Sequence, residues 1–145
     1  MRISTNWLRE MVATDLDPRT IAERLTLAGL AVDTIEETGG DTLFEFDITS
    51  NRPDALSHYG IAREVAALLD APLVAPVGVV AEAEPAAETL TSVVIEDPEL
   101  CPRYVARVIR GVTIGPSPDW MVRRLEALGQ RSINNVADVT NYVLL

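Results

Sequence analysis

The chain contains no lysine: all 12 of its cationic side chains are arginines, set against 22 acidic residues, for a formal net charge of −10. A nucleic-acid binder usually carries a basic face that displaces counterions from phosphates. This balance excludes a globally basic surface, so any RNA contact falls to a local arginine cluster or to another domain. There is one cysteine, Cys101. It excludes an internal disulfide and a cysteine-based zinc site, and it fits a reducing compartment such as the cytoplasm. No apolar run approaches the ~18 residues of a membrane-spanning helix. The opening MRISTNWLREMV has no apolar stretch followed by a small-residue cleavage site, so no secretory signal is expected. The GxxxxGK[ST], GxGxxG and HExxH patterns are all missing, which removes the phosphate loop, the dinucleotide fingerprint and the zinc-protease helix. No repeat is long enough to suggest a solenoid.

What is present is enough for a packed core. The 145 residues are 48% hydrophobic, the material of one ordinary domain or two small ones. Ser4 or Thr5 can cap a first short helix that sets Trp7, Leu8 and Met11 on one face. Asp17-Pro18 predicts a second helix start, with Ile21, Leu25 and Ala28 at helical spacing and Gly29 as its left-handed end. Leu30 to Glu37 and Leu43 to Ile48 then read as strands about a Thr38-Gly39-Gly40-Asp41 turn. In the second strand, Phe44, Phe46 and Ile48 alternate with Glu45 and Asp47. After Pro53, Ile61, Val65 and Leu68 form the stripe of a third helix.

Residues 75–91, rich in Ala, Pro, Val and Glu, read as a semi-extended connector. Beyond it, Ser92 to Glu96 and Tyr104 to Val112 are strand candidates, and Asp97-Pro98 and Cys101-Pro102 bracket a turn. Ser117-Pro118 predicts a helix with Met121, Leu125 and Leu128 on its core side, ended by Gly129. Asp138 reads as the cap of a last helix through Val139, Tyr142 and Val143. The apolar end, Val143-Leu144-Leu145, predicts that the second unit is cut in mid-element.

Residue types alone point to little chemistry. His58, the only histidine, reads as a helix-surface or capping residue, because a base or ligand needs partners within reach. Cys101 reads as a buried, inert thiol. Trp7 and Trp120 read as core or interface anchors. In Asn51-Arg52-Pro53-Asp54, the amide suits a turn, the proline sets the helix start and Asp54 suits a cap. Arg52 is placed to hold a carboxylate such as Asp47. These four residues are therefore structural. The cluster from Arg131 to Asn135, followed by Asp138 to Tyr142, fits either a small-molecule pocket wall or a pair of helix caps and a pinned loop.

Three stretches together resemble one family. They are MRISTNWLREMV with IAERLTLAGLAVD, then ITSNRPDALSHYGIAREVAALL, then CPRYVARVIRGV with SPDWMVRRLEALGQRSINNVADVTNYVLL. Their order and content resemble the N-terminal part of the β subunit of bacterial phenylalanyl-tRNA synthetase. The resemblance implies an α+β chain. Residues 1–74 would form a small three-helix, winged-helix-like first domain with a hairpin. Residues 75–91 would be a linker, and 92–145 the start of the β3/β4 editing module, which removes tyrosine wrongly attached to the phenylalanine tRNA.

The resemblance also marks two departures. Many bacterial β subunits insert an oligonucleotide-binding-fold domain that contacts tRNA where this chain has residues 38–41. The chain also stops before the family's Gly-Gln-Pro-x-His stretch, so the editing histidine and the later pocket glutamate are not in it. Arg131 matches an editing-pocket arginine of the family, and Thr140 and Asn141 match pocket-wall positions.

The implied role is support of ATP-dependent attachment of phenylalanine to tRNA, together with the α subunit and the rest of the β subunit. ATP and Mg belong to the α subunit; no cofactor or metal site is expected in this segment, and alone it is expected to be inactive. A freestanding trans-editing hydrolase and a non-catalytic interaction module built around Trp7, Trp120 and Leu145 are the alternative readings.

Overall fold

The structure, a computed structural model, describes every residue except Val77, which falls in the expected connector and lies outside the described residues. The described chain is α+β, with five α-helices and one three-stranded antiparallel sheet. It divides into two compact units. One contains Met1–Pro76 together with Ile114–Leu145; the other spans residues 77–113.

In the first unit, strand β1 (Arg2–Ser4) runs directly into helix α1 (Thr5–Met11). Ser4 caps that helix, its hydroxyl accepting from the Trp7 amide at 3.1 Å. Helix α2 (Pro18–Leu27) starts as the Asp17-Pro18 pair predicts: the Asp17 carboxylate accepts from the Thr20 amide at 3.0 Å, and proline occupies the first turn. Gly29 follows with φ +97°, the left-handed conformation that ends the helix without a Cβ penalty.

Strands β2 (Val32–Thr38) and β3 (Asp41–Phe46) form the expected hairpin, turning through Gly39 and Gly40 at φ +57° and +81°. The sheet order is β1-β3-β2, with Phe44 opposite Ile3 on one side and Ile35 on the other. The central strand buries Leu43 as well as Phe44 and Phe46, so its alternation is not strict; β2 is an exposed edge. Helix α3 (His58–Leu69) packs Ile61, Ala62, Val65 and Ala66 into the same core as Ile3, Leu8, Leu25 and Phe44. Leu68, expected on that stripe, is 39% exposed.

Helices α4 (Asp119–Ala127) and α5 (Asn135–Leu144) complete this unit. Met121, Leu125 and Leu128 are buried as the spacing predicts, and Leu128 joins the core formed by the first three helices. Tyr142 and Leu145 pack against that core. Two reciprocal bonds between Gly115 and Asn135 tie the approach to α4 to the start of α5: Asn135 donates its amide to the Gly115 carbonyl at 2.9 Å, and Gly115 donates to Asn135 Oδ1 at 3.2 Å.

The second unit differs from expectation. Neither 92–96 nor 104–112 forms a strand. Val94 is 81% exposed, Val105 66% and Ile109 78%. These segments have the β-branched composition of strands, but a strand requires a hydrogen-bonded neighbour, and none pairs with them among the described residues. The turn between them does form. Asp97 Oδ1 accepts from the amides of Glu99 and Leu100, and the Cys101 amide donates to the Asp97 carbonyl at 2.9 Å. Cys101, expected to be buried, is partly exposed.

Candidate functional site

Three of the polar centres in the first unit involve residues singled out by the sequence. The first is the Asn51–Asp54 turn. Pro53–Ala55 form a single 3-10 turn, and Ala55 is fully buried. Arg52 holds Asp54 through two bonds, Nε to Oδ1 at 3.1 Å and Nη2 to Oδ2 at 2.9 Å, and reaches Glu64 on α3 at 2.6 Å. Its partners are therefore these two acids and not Asp47. Hydrogen bonds from Arg52 hold the Asp54 carboxyl below its usual range. Asp54 is not the cap of α3: Ser57 is, accepting from the Gly60 amide at 3.0 Å. A serine adjacent to the helix leaves Asp54 free to engage the guanidinium. Gly60 shows how closely the turn docks, since a Cβ there would lie 2.1 Å from the Asp54 carbonyl oxygen.

The second centre is built on His58, which is 1% exposed. The surface or capping role read from the sequence is thus corrected. The Ser4 amide donates to Nε2 at 3.0 Å, and Nδ1 stands 2.8 Å from the Leu145 carbonyl oxygen. An acceptor at Nε2 and a donor at Nδ1 define one neutral tautomer. Burial pushes the His58 pKa down to about 4; the Leu145 carbonyl opposes this and the Arg124 charge adds to it. The ring stacks on Trp7 at 3.9 Å, and Trp7 stacks on Tyr142 at 4.7 Å. The Arg124 guanidinium lies over Trp7 at 5.0 Å, donates to the Tyr142 hydroxyl at 2.7 Å and pairs with Glu10. Trp120, 45% exposed, meets Tyr142 edge-on. The arrangement is a structural lock on α1, α3, α4 and α5. A base with both nitrogens committed and a pKa near 4 is poorly suited to proton transfer at neutral pH.

The third centre is Asp138, fully buried in the first turn of α5. It is not the helix cap expected from the sequence; Asn134 is, its Oδ1 accepting from the amides of Val136 and Ala137 at 3.0 Å. The Asp138 carboxylate instead gathers three donors: Ser117 Oγ at 2.5 Å, Ser132 Oγ at 2.6 Å and the Ile133 amide at 2.8 Å. Hydrogen bonds from Ser117 and then Ser132 hold its pKa below the ordinary carboxylate value.

Around this carboxylate lie the residues singled out from the sequence. Arg131 immediately precedes the pinned loop and is exposed; Thr140, also exposed, and half-buried Asn141 follow Asp138 on α5. None of these three makes an ion pair or side-chain hydrogen bond within the described residues. They sit on one loop-and-helix segment but do not close a cavity. An open groove of about 470 Å³ lies elsewhere, lined by residues of α2 and β2 such as Arg19, Thr26 and Ile35. Among the described residues no cluster of His, Cys, Asp and Glu could hold a metal ion.

The sequence pattern does not place His58, Arg124 or Ser117 at these centres. For His58 a signal existed: it begins the 58, 61, 62, 65 series at helical spacing, which is the buried stripe of α3. Nothing in the local pattern around Arg124 or Ser117 announces partners 18 and 21 residues away.

Residues 100–145 match the B3/4 domain family. Over all 145 residues the chain is 44% identical to a phenylalanine–tRNA ligase β subunit of Rhodopirellula baltica, covering 21% of that protein. It is 59% identical over 106 residues to the same-named subunit of Geobacter sulfurreducens, covering 72% of this chain and 13% of the relative. It is 54% identical over 105 residues to that of Syntrophotalea carbinolica, again 72% and 13%. The chain thus spans about a fifth or less of the length of these curated relatives.

Proposed function

From its similarity to the N-terminal part of phenylalanine–tRNA ligase β subunits, we propose that this chain is architecture of such a ligase and supplies part of its editing site. The carrying observation is the 44% identity to a curated β subunit over all 145 residues of this chain, joined to the B3/4 match at 100–145. In this reading, residues 1–74 are a winged-helix-like first domain, 75–91 a linker and 92–145 the start of the editing module. Three helices over a three-stranded antiparallel sheet support the first assignment. The tight Gly39-Gly40 hairpin supports the absence of an inserted domain near 38–41.

The ligase would attach phenylalanine to tRNA with ATP and Mg held by the α subunit. This segment would work in the cytoplasm, in contact with that subunit and the rest of the β subunit. No helix among the described residues is long and apolar enough to cross a membrane. Arg131, Thr140 and Asn141 would form one wall of the Tyr-tRNA pocket: a guanidinium for a phosphate or carbonyl oxygen, a hydroxyl and an amide for polar groups of the misattached amino acid.

That wall is open and contains no base. The chain alone is therefore expected neither to charge tRNA nor to hydrolyse Tyr-tRNA. A deacylation assay on the purified chain checks this. Hydrolysis above the buffer rate that Arg131→Ala abolishes would contradict it and favour a freestanding editing hydrolase.

A further inference from the structure

We propose that Asp138 is a positioning residue for Tyr-tRNA hydrolysis: its buried carboxylate fixes the loop that presents Arg131 relative to the helix that carries Thr140 and Asn141. The inference rests on the editing reading above and names a residue that reading does not use.

The geometry is specific. Ser132 and Ile133, the two residues after Arg131, both donate to Asp138, at 2.6 and 2.8 Å. Arg131 is exposed and makes no hydrogen bond or ion pair of its own within the described residues, so the backbone that Asp138 holds fixes the point from which its side chain projects. Thr140 and Asn141 lie two and three positions further along the same helix. Ser117 Oγ completes the clamp from the segment leading into α4. Asp138 thus ties the loop that follows Arg131 to the helix that carries Thr140 and Asn141.

The choice of side chain supports this. The helix does not need Asp138 as its cap, because Asn134 fills that role. A fully buried carboxylate costs solvation that an apolar residue would not. This one has no salt-bridge partner among the described residues; it is stabilised by three neutral donors arranged around it. Such an arrangement specifies a loop conformation more sharply than packing does.

The test uses the complete ligase, α subunit with the full β subunit that carries this segment. Hydrolysis of Tyr-tRNA and attachment of phenylalanine are measured side by side. Asp138→Asn is expected to lower kcat for hydrolysis by about tenfold or more, the scale of a displaced catalytic contact, with KM and phenylalanine attachment little changed. Ser132→Ala should lower it in the same direction, and Ser132→Thr, which keeps the hydroxyl, should restore it. In an Arg131→Ala background neither Asp138→Asn nor Ser132→Ala should add a further loss, because both act through Arg131.

Unchanged hydrolysis in Ser132→Ala and in a folded Asp138→Asn, with Arg131→Ala impaired, would overturn the inference and leave the editing reading standing. A full additional loss in the Arg131→Ala background would also overturn it. Normal hydrolysis in Arg131→Ala itself would remove the editing reading and this inference with it. If Asp138→Asn does not fold, the Ser132 pair decides.

Discussion

At the scale of single residues, His58 shows how far environment outweighs type. The same imidazole that titrates near 6.5 in water is held neutral in the fold, with a pKa pushed down to about 4 by burial. The charged groups that face it are Arg124 on α4, which disfavours a second cation, and Asp41 on β3, which favours one. Between the two pKa values the unfolded chain binds more protons, so stability rises with pH. The contribution is complete above pH 6.5 and is lost as the pH falls toward 4, by an amount on the order of 3 kcal/mol. Denaturant midpoints at pH 7 and pH 4.5 check this. His58→Gln, which keeps a donor and an acceptor but cannot ionise, is expected to lose less stability over that interval than the parent. An equal loss would show that other groups govern the acid transition.

At the scale of elements, the Asn51–Asp54 turn and α3 behave as one piece. Arg52 bridges them through Asp54 and Glu64, and Gly60 permits the close approach. Gly60→Ala forces a methyl carbon into the Asp54 carbonyl, so it is expected to destabilise the chain by about 1–3 kcal/mol despite the better helix propensity of alanine. A chemical denaturation curve measures it, and a neutral or stabilised variant would contradict this docking.

The elements whose signals are local were legible from the sequence. Asp17-Pro18 marked α2, Gly39-Gly40 the hairpin, and Met121, Leu125 and Leu128 the buried side of α4. The sequence suggests Asp54 and Asp138 as the caps of α3 and α5, since an aspartate can cap a helix and complement its dipole. Here Ser57 and Asn134, directly adjacent to their helices, take that role, and both acids serve longer-range bonds. The strands expected at 92–96 and 104–112 failed for a different reason. Strand composition is local, but a strand forms only where a neighbour supplies hydrogen bonds, and the sequence pattern does not identify that neighbour. Of the candidate site, residue types mark the Arg131–Asn135 and Asp138–Tyr142 cluster as either a pocket wall or a pair of caps, and only the family resemblance singles out Arg131, Thr140 and Asn141. Asp138 as a loop clamp needed the fold.

At the scale of the whole molecule, charge is unevenly distributed. Nineteen of the 22 acids precede residue 100, whereas six of the 12 arginines fall between Arg103 and Arg131, inside the B3/4 match. The acidic majority argues against tight RNA binding by the first seventy or so residues. The later arginines are where contact with an aminoacylated tRNA end would be sought. The first unit holds α4 and α5 to the opening helices through the Trp7, His58 and Tyr142 stack and through Arg124. The candidate pocket wall is therefore carried on a helix packed against the core of the first unit, the kind of support that substrate positioning calls for.

In the proposed function this segment is ligase architecture bearing one wall of an editing pocket. The most direct measurement is hydrolysis of Tyr-tRNA by the complete ligase with Arg131→Ala in this segment, beside phenylalanine attachment by the same preparation. Hydrolysis is expected to fall by about tenfold or more while attachment stays at the parent rate. Undiminished hydrolysis, or an equal fall in both activities, would contradict it.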